Sequence, residues 1–305
     1  MERTGPSTAA PVAGLRIEPL SGGLGAEIRD FQIADTDDAA FATLYAAFLE
    51  HQLLLFRAQL LPPAAQVAFA RRFGEVQVHV MDQYHASAHP ELYTLSNLGP
   101  DGKPSGKHPD RGTLEWHTDG SWRRVTGQAT MLYAERIPAT GGETSFADMY
   151  SAYDALDPAE RARLADLRAI HNLDFSRDRR HGEEPLSDAQ RRAVPPVDHP
   201  ILRTHPETGR PCVFLGDHAE SIEGMAYAAG RALIDDLNQR LVAGARIYTH
   251  HWRPGDFIVW DNRCLLHRAG RYDTAREPRV IRRCTVIGDA PYYRPERTEP
   301  ARRRS

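Results

Sequence analysis

Beyond residue 75 the chain breaks into many short β-like runs, each closed off by turn-forming residues, and this pattern limits the fold more than any other feature. The runs are Glu91–Leu95, Ala129–Ala134, Glu143–Phe146, Pro211–Leu215, Arg246–Trp252, Asp256–Trp260 and Val280–Ile287. Short strands at such spacing must bury one face against a second layer, which predicts a folded-over β-sandwich or barrel. Ahead of them, Leu15–Leu20 and Leu53–Arg57 read as strands. Asp37–Glu50 reads as a helix because Phe41, Leu44, Tyr45 and Phe48 recur at helical spacing after an Asp-rich start. A second helix is expected over Pro62–Phe73, with proline at its start and Gly74 just past its end. Further helices are expected near Ser151–Leu167 and Ala226–Val242, so the fold class is mainly β with decorating helices.

No internal repeat or long low-complexity linker divides the 305 residues, and one domain over residues 14–290 is expected. Residues 1–13, rich in Pro, Ala, Gly, Ser and Thr, read as a disordered leader without the apolar stretch of a secretory signal. Residues 291–305 read as a flexible basic tail, its Arg302–Arg304 run being solvated rather than phosphate-binding. A formal charge of −3 gives no reason to invoke nucleic acid, and no apolar run approaches the roughly 20 residues that span a bilayer. Three cysteines, Cys212, Cys264 and Cys284, have no paired spacing, which fits a reducing cytoplasm better than a disulfide framework.

A metal site is the chemistry this sequence points to. Two histidines and a carboxylate on one face, with open positions opposite, suit non-haem iron(II). His117-Thr118-Asp119 supplies a His and an Asp at i and i+2, which share a face on an extended segment. The bare pattern is common here: His108-Pro109-Asp110 fits it, and His89, His181, His205 and His218 each precede a Glu by two residues. His108 falls in Gly99–Gly112, a breaker-rich stretch read as a mobile loop and candidate lid. His117 instead follows Thr113–Trp116, read as a strand and hence a rigid platform. The third ligand must come from a distant strand, and Gly255–His267 reads as strand, polar turn and second strand ending at His267. Cys264, three residues earlier, reads as a buried strand residue.

Farther along, Arg279-Val280-Ile281-Arg282-Arg283 alternates so that Arg279 and Arg283 face one way and Arg282 the other. A planar guanidinium pairs bidentately with carboxylates, so two inward arginines suit two anions.

Four motifs, Trp116-His117-Thr118-Asp119, Gly141-Gly142-Glu143-Thr144, His205-Pro206-Glu207-Thr208-Gly209-Arg210 and Trp260-Asp261-Asn262-Arg263 through His267, resemble the taurine dioxygenase and 2,4-dichlorophenoxyacetate dioxygenase family in order and position. The likeness runs from about Leu15 to Asp289. It implies a double-stranded β-helix (jelly-roll, clavaminate synthase-like) core and an Fe(II)-dependent enzyme that consumes 2-oxoglutarate and O2, releasing succinate and CO2 as it hydroxylates a small anionic organic substrate. By the same resemblance His117, Asp119 and His267 are the metal ligands and catalytic centre. Arg279, helped by Thr144, binds the far carboxylate of 2-oxoglutarate, and Arg283 contacts the substrate. His79, Trp122 and His218 are candidate pocket residues. Asp119 favours hydroxylation over halogenation, for which relatives carry a small residue there.

Pro195-Pro196-Val197, His218–Met225, Cys264–Arg268 and Arg271-Tyr272-Asp273 look closer to the phenoxyacetate branch, implying an aryloxyalkanoate cleaved to a phenol and an oxo acid. His79 falls where taurine-type relatives bind a sulfonate, so an alkylsulfonate or alkyl sulfate dioxygenase is the alternative. Asp82 and Thr113 do not match the tyrosine and asparagine that assist taurine. A non-catalytic, cupin-like metal-binding anion sensor is the reading from another class, and it has no use for Thr144 and Arg279. A homo-oligomer is expected.

Overall fold

The computed structural model describes residues 15–80, 85–86 and 88–295. The leader, Asp82 and the Arg302–Arg304 run lie outside those residues. Its frame is an eight-stranded sheet with spatial order Arg16–Pro19, Ala26–Arg29, Leu53–Phe56, Phe257–Asp261, Gly127–Arg136, Val280–Ile287, His89–Ser96 and His85–Ala86. A three-stranded sheet, Ile247–His250, Thr144–Asp148 and Leu265–Ala269, faces it. Smaller sheets join Ala219–Ile222 to Arg168–His171 and Val197–Pro200, and Leu202–Thr204 to Pro211–Val213.

Strand alternation divides the interior into two cores. Ile258, Trp260, Leu132, Ile281 and Tyr93 project from the large sheet onto the side of the smaller one that carries Phe146 and Leu265. Phe257, Val259, Met131, Cys284 and Val286 project from its other face onto Leu44, Phe48, Phe69 and Phe73 of the helices Asp38–His51 and Pro63–Phe73. A sheet covered on both faces has no solvent side, which explains the uninterrupted apolar runs Leu53–Phe56 and Phe257–Trp260. Each fully buried large side chain contributes roughly 1.5–3 kcal/mol. The first helix starts where Asp37 accepts a hydrogen bond from the Ala40 amide (2.7 Å) and ends with Gln52 in the left-handed region (φ 67°).

Two expected elements differ. Thr113–Trp116 is not a strand: Arg111–Leu114 forms a 3-10 turn, because Asp110 accepts from the Gly112 amide (3.1 Å) and its carbonyl accepts from the Thr113 hydroxyl (2.6 Å). Such local side-chain bonds compete with strand pairing. The helix expected near Ser151–Leu167 is two helices, Met149–Asp154 and Pro158–Leu164, since Asp157 caps the second (Oδ1 to Glu160 N, 2.8 Å) and Pro158 opens it. In the stretch read as a tail, Tyr292 and Arg294 hydrogen-bond Thr204. All three cysteines are buried and free.

Candidate metal centre and active site

The site lies between the two facing sheets. On the smaller sheet His267 pairs with Phe146 and Ala269 with Thr144, so His267 and Thr144 share its inner face. On the larger sheet Thr130, Leu132, Trp260, Ile281, Arg283 and Thr285 follow one alternation and point inward. Arg282 points the other way, where it bonds the Leu61 carbonyl and pairs with Glu135 (3.1 Å). Arg282 and Arg283 therefore lie on opposite faces, as the alternation predicts.

His117 needs no strand beneath it. Its amide donates to the His267 carbonyl (3.0 Å) and its carbonyl accepts the reverse bond from the His267 amide (2.8 Å), an isolated antiparallel bridge. Opposed residues in such a pair project to the same side. The two imidazole centroids are 4.1 Å apart, and Asp119 returns to that face two residues on. His117 Nε2 is 3.9 Å from Asp119 Oδ1, and His267 Nε2 is 3.8 Å from Asp119 Oδ2. The three donor atoms lie within 4.8 Å of one another and all three residues are buried, close enough for one ion to take all of them. Gly216, at φ 123°, packs behind this segment; a Cβ there would lie 3.1 Å from the His117 Cα.

The protonation states suit ligation. A carbonyl can only accept, so the 2.8 Å contact from His117 Nδ1 to the Glu115 carbonyl puts the proton on Nδ1 and leaves the Nε2 lone pair toward Asp119. Burial, then the neighbouring His117, holds His267 well below the ordinary histidine range, so its ring is neutral. Burial pushes the Asp119 carboxyl up, but the Arg283 guanidinium, foremost, and the Thr130 hydroxyl pull it down, and the group is held well below the usual carboxylate range. Arg283 Nη1 donates to Asp119 Oδ1 (3.2 Å) and Thr130 Oγ1 to Oδ2 (2.7 Å).

Asn262, quoted only as part of a motif in the sequence, organises this network. Its Oδ1 accepts from the Asp119 amide (3.2 Å) and from Trp260 Nε1 (3.0 Å), its Nδ2 donates to Thr130 Oγ1 (2.9 Å), and its carbonyl accepts from the Thr118 hydroxyl (2.7 Å).

Two cavities open beside the three ligands. One is lined by Leu95, His108, Pro109, Leu132, Thr144, Trp260, His267 and Arg279. Arg279 is buried there; its Nη2 donates to the Gly142 carbonyl (3.4 Å), and among the described residues its Nε has no hydrogen-bond partner and no carboxylate pairs with it. Burial brings its pKa down to about 10, the direction expected for a buried cation without a counter-anion. Thr144 Oγ1 accepts from Trp252 Nε1 (2.9 Å), which leaves its own proton to donate. A dicarboxylate whose far end meets Arg279 and Thr144 fits this cavity.

The other cavity brings together His79, Trp122, His218 and Arg283 with Gln77, Asp110, Leu173 and Arg177. His79 stands edge-on to Tyr93 (5.0 Å) and Trp122 (5.5 Å). His218 Nδ1 lies 3.1 Å from Ser121 Oγ, and burial, then His117, pushes its pKa down to about 4, so it is a neutral hydrogen-bonding group. Arg283 stacks over Tyr93 (4.6 Å) and lines both cavities. Arg177 was not singled out by the sequence; it lies in the π-helical segment Phe175–Arg180, paired with Glu183 (2.9 Å). The surrounding periodicity carries no signal for a π-helix.

A facial set of two histidines and a carboxylate, with an anion clamp beside it, defines a metal-dependent oxygenase. A family profile described as "Taurine catabolism dioxygenase TauD, TfdA family" matches residues 16–285. The (S)-phenoxypropionate/alpha-ketoglutarate-dioxygenase of Sphingobium herbicidovorans is 35% identical over 285 residues, covering 90% of this chain and 95% of the relative. The alpha-ketoglutarate-dependent 2,4-dichlorophenoxyacetate dioxygenase of Cupriavidus pinatubonensis is 38% identical over 249 residues, 79% and 86% of the two chains. The crystal structure of AAD-2 in complex with Mn(II) and N-oxalylglycine superposes with a TM-score of 0.80 at 32% identity, covering 92% of this chain and 99% of that one. The chain belongs to the TauD/TfdA family of 2-oxoglutarate-dependent dioxygenases, with its jelly-roll fold.

Proposed function

We propose that this protein uses Fe(II), 2-oxoglutarate and O2 to hydroxylate the carbon beside the ether oxygen of a small aryloxyalkanoate. The hydroxylated product is a hemiacetal or hemiketal and collapses to a phenol and a 2-oxo acid, while 2-oxoglutarate leaves as succinate and CO2. The observation that carries this reading is the pairing of one three-donor centre with two arginine-bearing cavities, one with an unmatched buried cation and one with an aromatic wall.

His117, Asp119 and His267 would hold the metal, which supplies oxygen activation when bound. Arg279 and Thr144 fix the far carboxylate of 2-oxoglutarate by charge-assisted hydrogen bonds. Arg283 holds Asp119 in its ionised form and presents positive charge toward a substrate anion. Trp122 and Leu173, packed in one apolar cluster, offer a face for an aryl ring, and His79 and neutral His218 supply polar contacts. What the protein contributes is placement of a C–H bond beside the metal.

Turnover with a panel tests this. Phenoxyacetate, both enantiomers of 2-phenoxypropionate, taurine and an alkyl sulfate are supplied separately with Fe(II), 2-oxoglutarate and air, and succinate, phenol, sulfite and sulfate are quantified. Phenol release matched one-to-one by succinate is expected from an aryloxyalkanoate. Sulfite from taurine, or sulfate from the alkyl sulfate, without phenol release from the aryl ethers would overturn the substrate class and leave the sulfonate or sulfate reading.

A further inference from the structure

The His-x-Asp motif at residues 108–110 is not at the metal, yet it sits in the wall between the two cavities. His108 and Pro109 line the cavity that holds Arg279, and Asp110 lines the cavity that holds Arg177 and His218. The loop is fixed to the segment around residue 272: the Gly106 amide donates to the Thr274 carbonyl (3.0 Å) and the Thr274 hydroxyl donates back to the Gly106 carbonyl (2.9 Å). That juxtaposition sets the His108 ring 5.9 Å from the Tyr272 ring, and the Arg279 guanidinium 5.9 Å from the same tyrosine.

Three buried polar atoms in this cluster have no hydrogen-bond partner: His108 Nε2, the Tyr272 hydroxyl and Arg279 Nε. Their polarity can be assigned. The Asp110 amide donates to His108 Nδ1 (3.3 Å), so Nδ1 is an acceptor and the neutral ring carries its proton on Nε2. Burial and the nearby Arg279 keep that ring below the ordinary histidine range, in agreement with the neutral form. His108 Nε2–H and the guanidinium are therefore donors, while the tyrosine hydroxyl can donate or accept. Buried donors left unmade are costly, and the two that border one cavity, on His108 and Arg279, call for an acceptor-only group with several lone pairs, which is a carboxylate.

We propose that His108, backed by Tyr272, completes the clamp on the far carboxylate of the 2-oxo acid, donating through Nε2, so that the loop at 99–112 is held by the co-substrate. This rests on the assignment of that cavity to 2-oxoglutarate. His108 touches the co-substrate, and Tyr272 is a positioning residue that acts through His108 and Arg279. Because Asp110 follows in the opposite cavity, filling the co-substrate cavity also sets one wall of the substrate cavity.

The test compares 2-oxoglutarate with pyruvate, which keeps the chelating keto-carboxylate head and lacks the far carboxylate. Binding of each to the Fe(II)-loaded protein is titrated without oxygen, by the visible charge-transfer absorbance and by calorimetry. His108→Phe should weaken 2-oxoglutarate by about 10-fold or more, the scale of a hydrogen bond to a charged group, and leave pyruvate unchanged. His108→Gln, which keeps an N–H near the same point, should restore most of the affinity, and Tyr272→Phe should show a smaller loss confined to 2-oxoglutarate. Equal losses for both acids, or no loss for either, would overturn the inference, since a residue that only shapes the loop cannot tell them apart. Arg279→Gln is the control for the underlying assignment: if it too leaves the preference for 2-oxoglutarate over pyruvate intact, the cavity is not the co-substrate site at all.

Discussion

The two cavities beside His117, Asp119 and His267 are built differently. The Arg279 cavity takes Leu95, Leu132, Thr144, Trp260 and His267 from paired strands, and its cation has no ionic partner within the described residues. The cavity of Trp122, Leu173, Arg177 and His218 is lined mostly by turns, loops and a π-helical segment, and its Arg177 is paired with Glu183 (2.9 Å). Strands held on both edges fix a single geometry for one ligand, whereas loops change with little cost to the frame. This contrast supports the proposal of a constant co-substrate in the first cavity and a variable anion in the second.

Substitutions on either side sharpen or break that contrast. The largest effect is expected from Arg279→Gln: it removes the main charge in a buried clamp and should raise the KM for 2-oxoglutarate by about 100-fold or more, with a much smaller change in the KM of the primary substrate, as measured by succinate release. Asn262→Ala comes next. It takes away the acceptor for the Asp119 amide and the donor to Thr130, and loss of the hydrogen bonds behind a metal ligand costs about 10–100-fold in metal affinity. Competition with a chelator would read it, and an unchanged affinity would remove Asn262 from the account of the metal centre.

Arg177→Gln should act on the other cavity alone, raising the substrate KM by about 5-fold with the 2-oxoglutarate KM unmoved, since its charge is partly cancelled by Glu183. A change in both constants would blur the division between the cavities. The smallest effect concerns pH and lies away from both. His199, buried with Nε2 2.9 Å from the Arg123 carbonyl, has its pKa pushed down to about 4 by burial. Between about pH 6.5 and 4 the unfolded chain binds a proton there that the folded chain does not, so stability falls as pH falls through that window. His199→Gln should flatten that part of the melting-temperature profile.

Much of the frame was legible because its signals are local. Alternation in Arg279–Arg283 placed Arg282 and Arg283 on opposite faces, as found, and Asp37 and Gly74 marked helix ends where the chain turns. Strand runs such as Phe257–Asp261 and Val280–Ile287 were readable from composition, although both faces being buried hid which residues point inward. Thr113–Trp116 misled because two hydrogen bonds to Asp110 choose a 3-10 turn, and the rigidity expected of a strand comes instead from the bridge to His267. The short strands Arg168–His171, Val197–Pro200 and Ala219–Ile222 escaped notice, being stabilised by partners far along the chain rather than by their own pattern. Arg177 and Asn262 act through contacts across 6 and 144 residues respectively, the first from a π-helical turn and the second through Thr118, and no spacing rule finds either.

The central claim is that three side chains from two remote stretches take one Fe(II) with 2-oxoglutarate chelated beside it. Titrating Fe(II) into the protein and 2-oxoglutarate without oxygen, while following the visible charge-transfer absorbance, tests it directly. The account expects the absorbance to saturate at one iron per chain and to be absent in His117→Ala and His267→Ala. Absorbance that persists in those variants, or never develops in the unaltered protein, would contradict it.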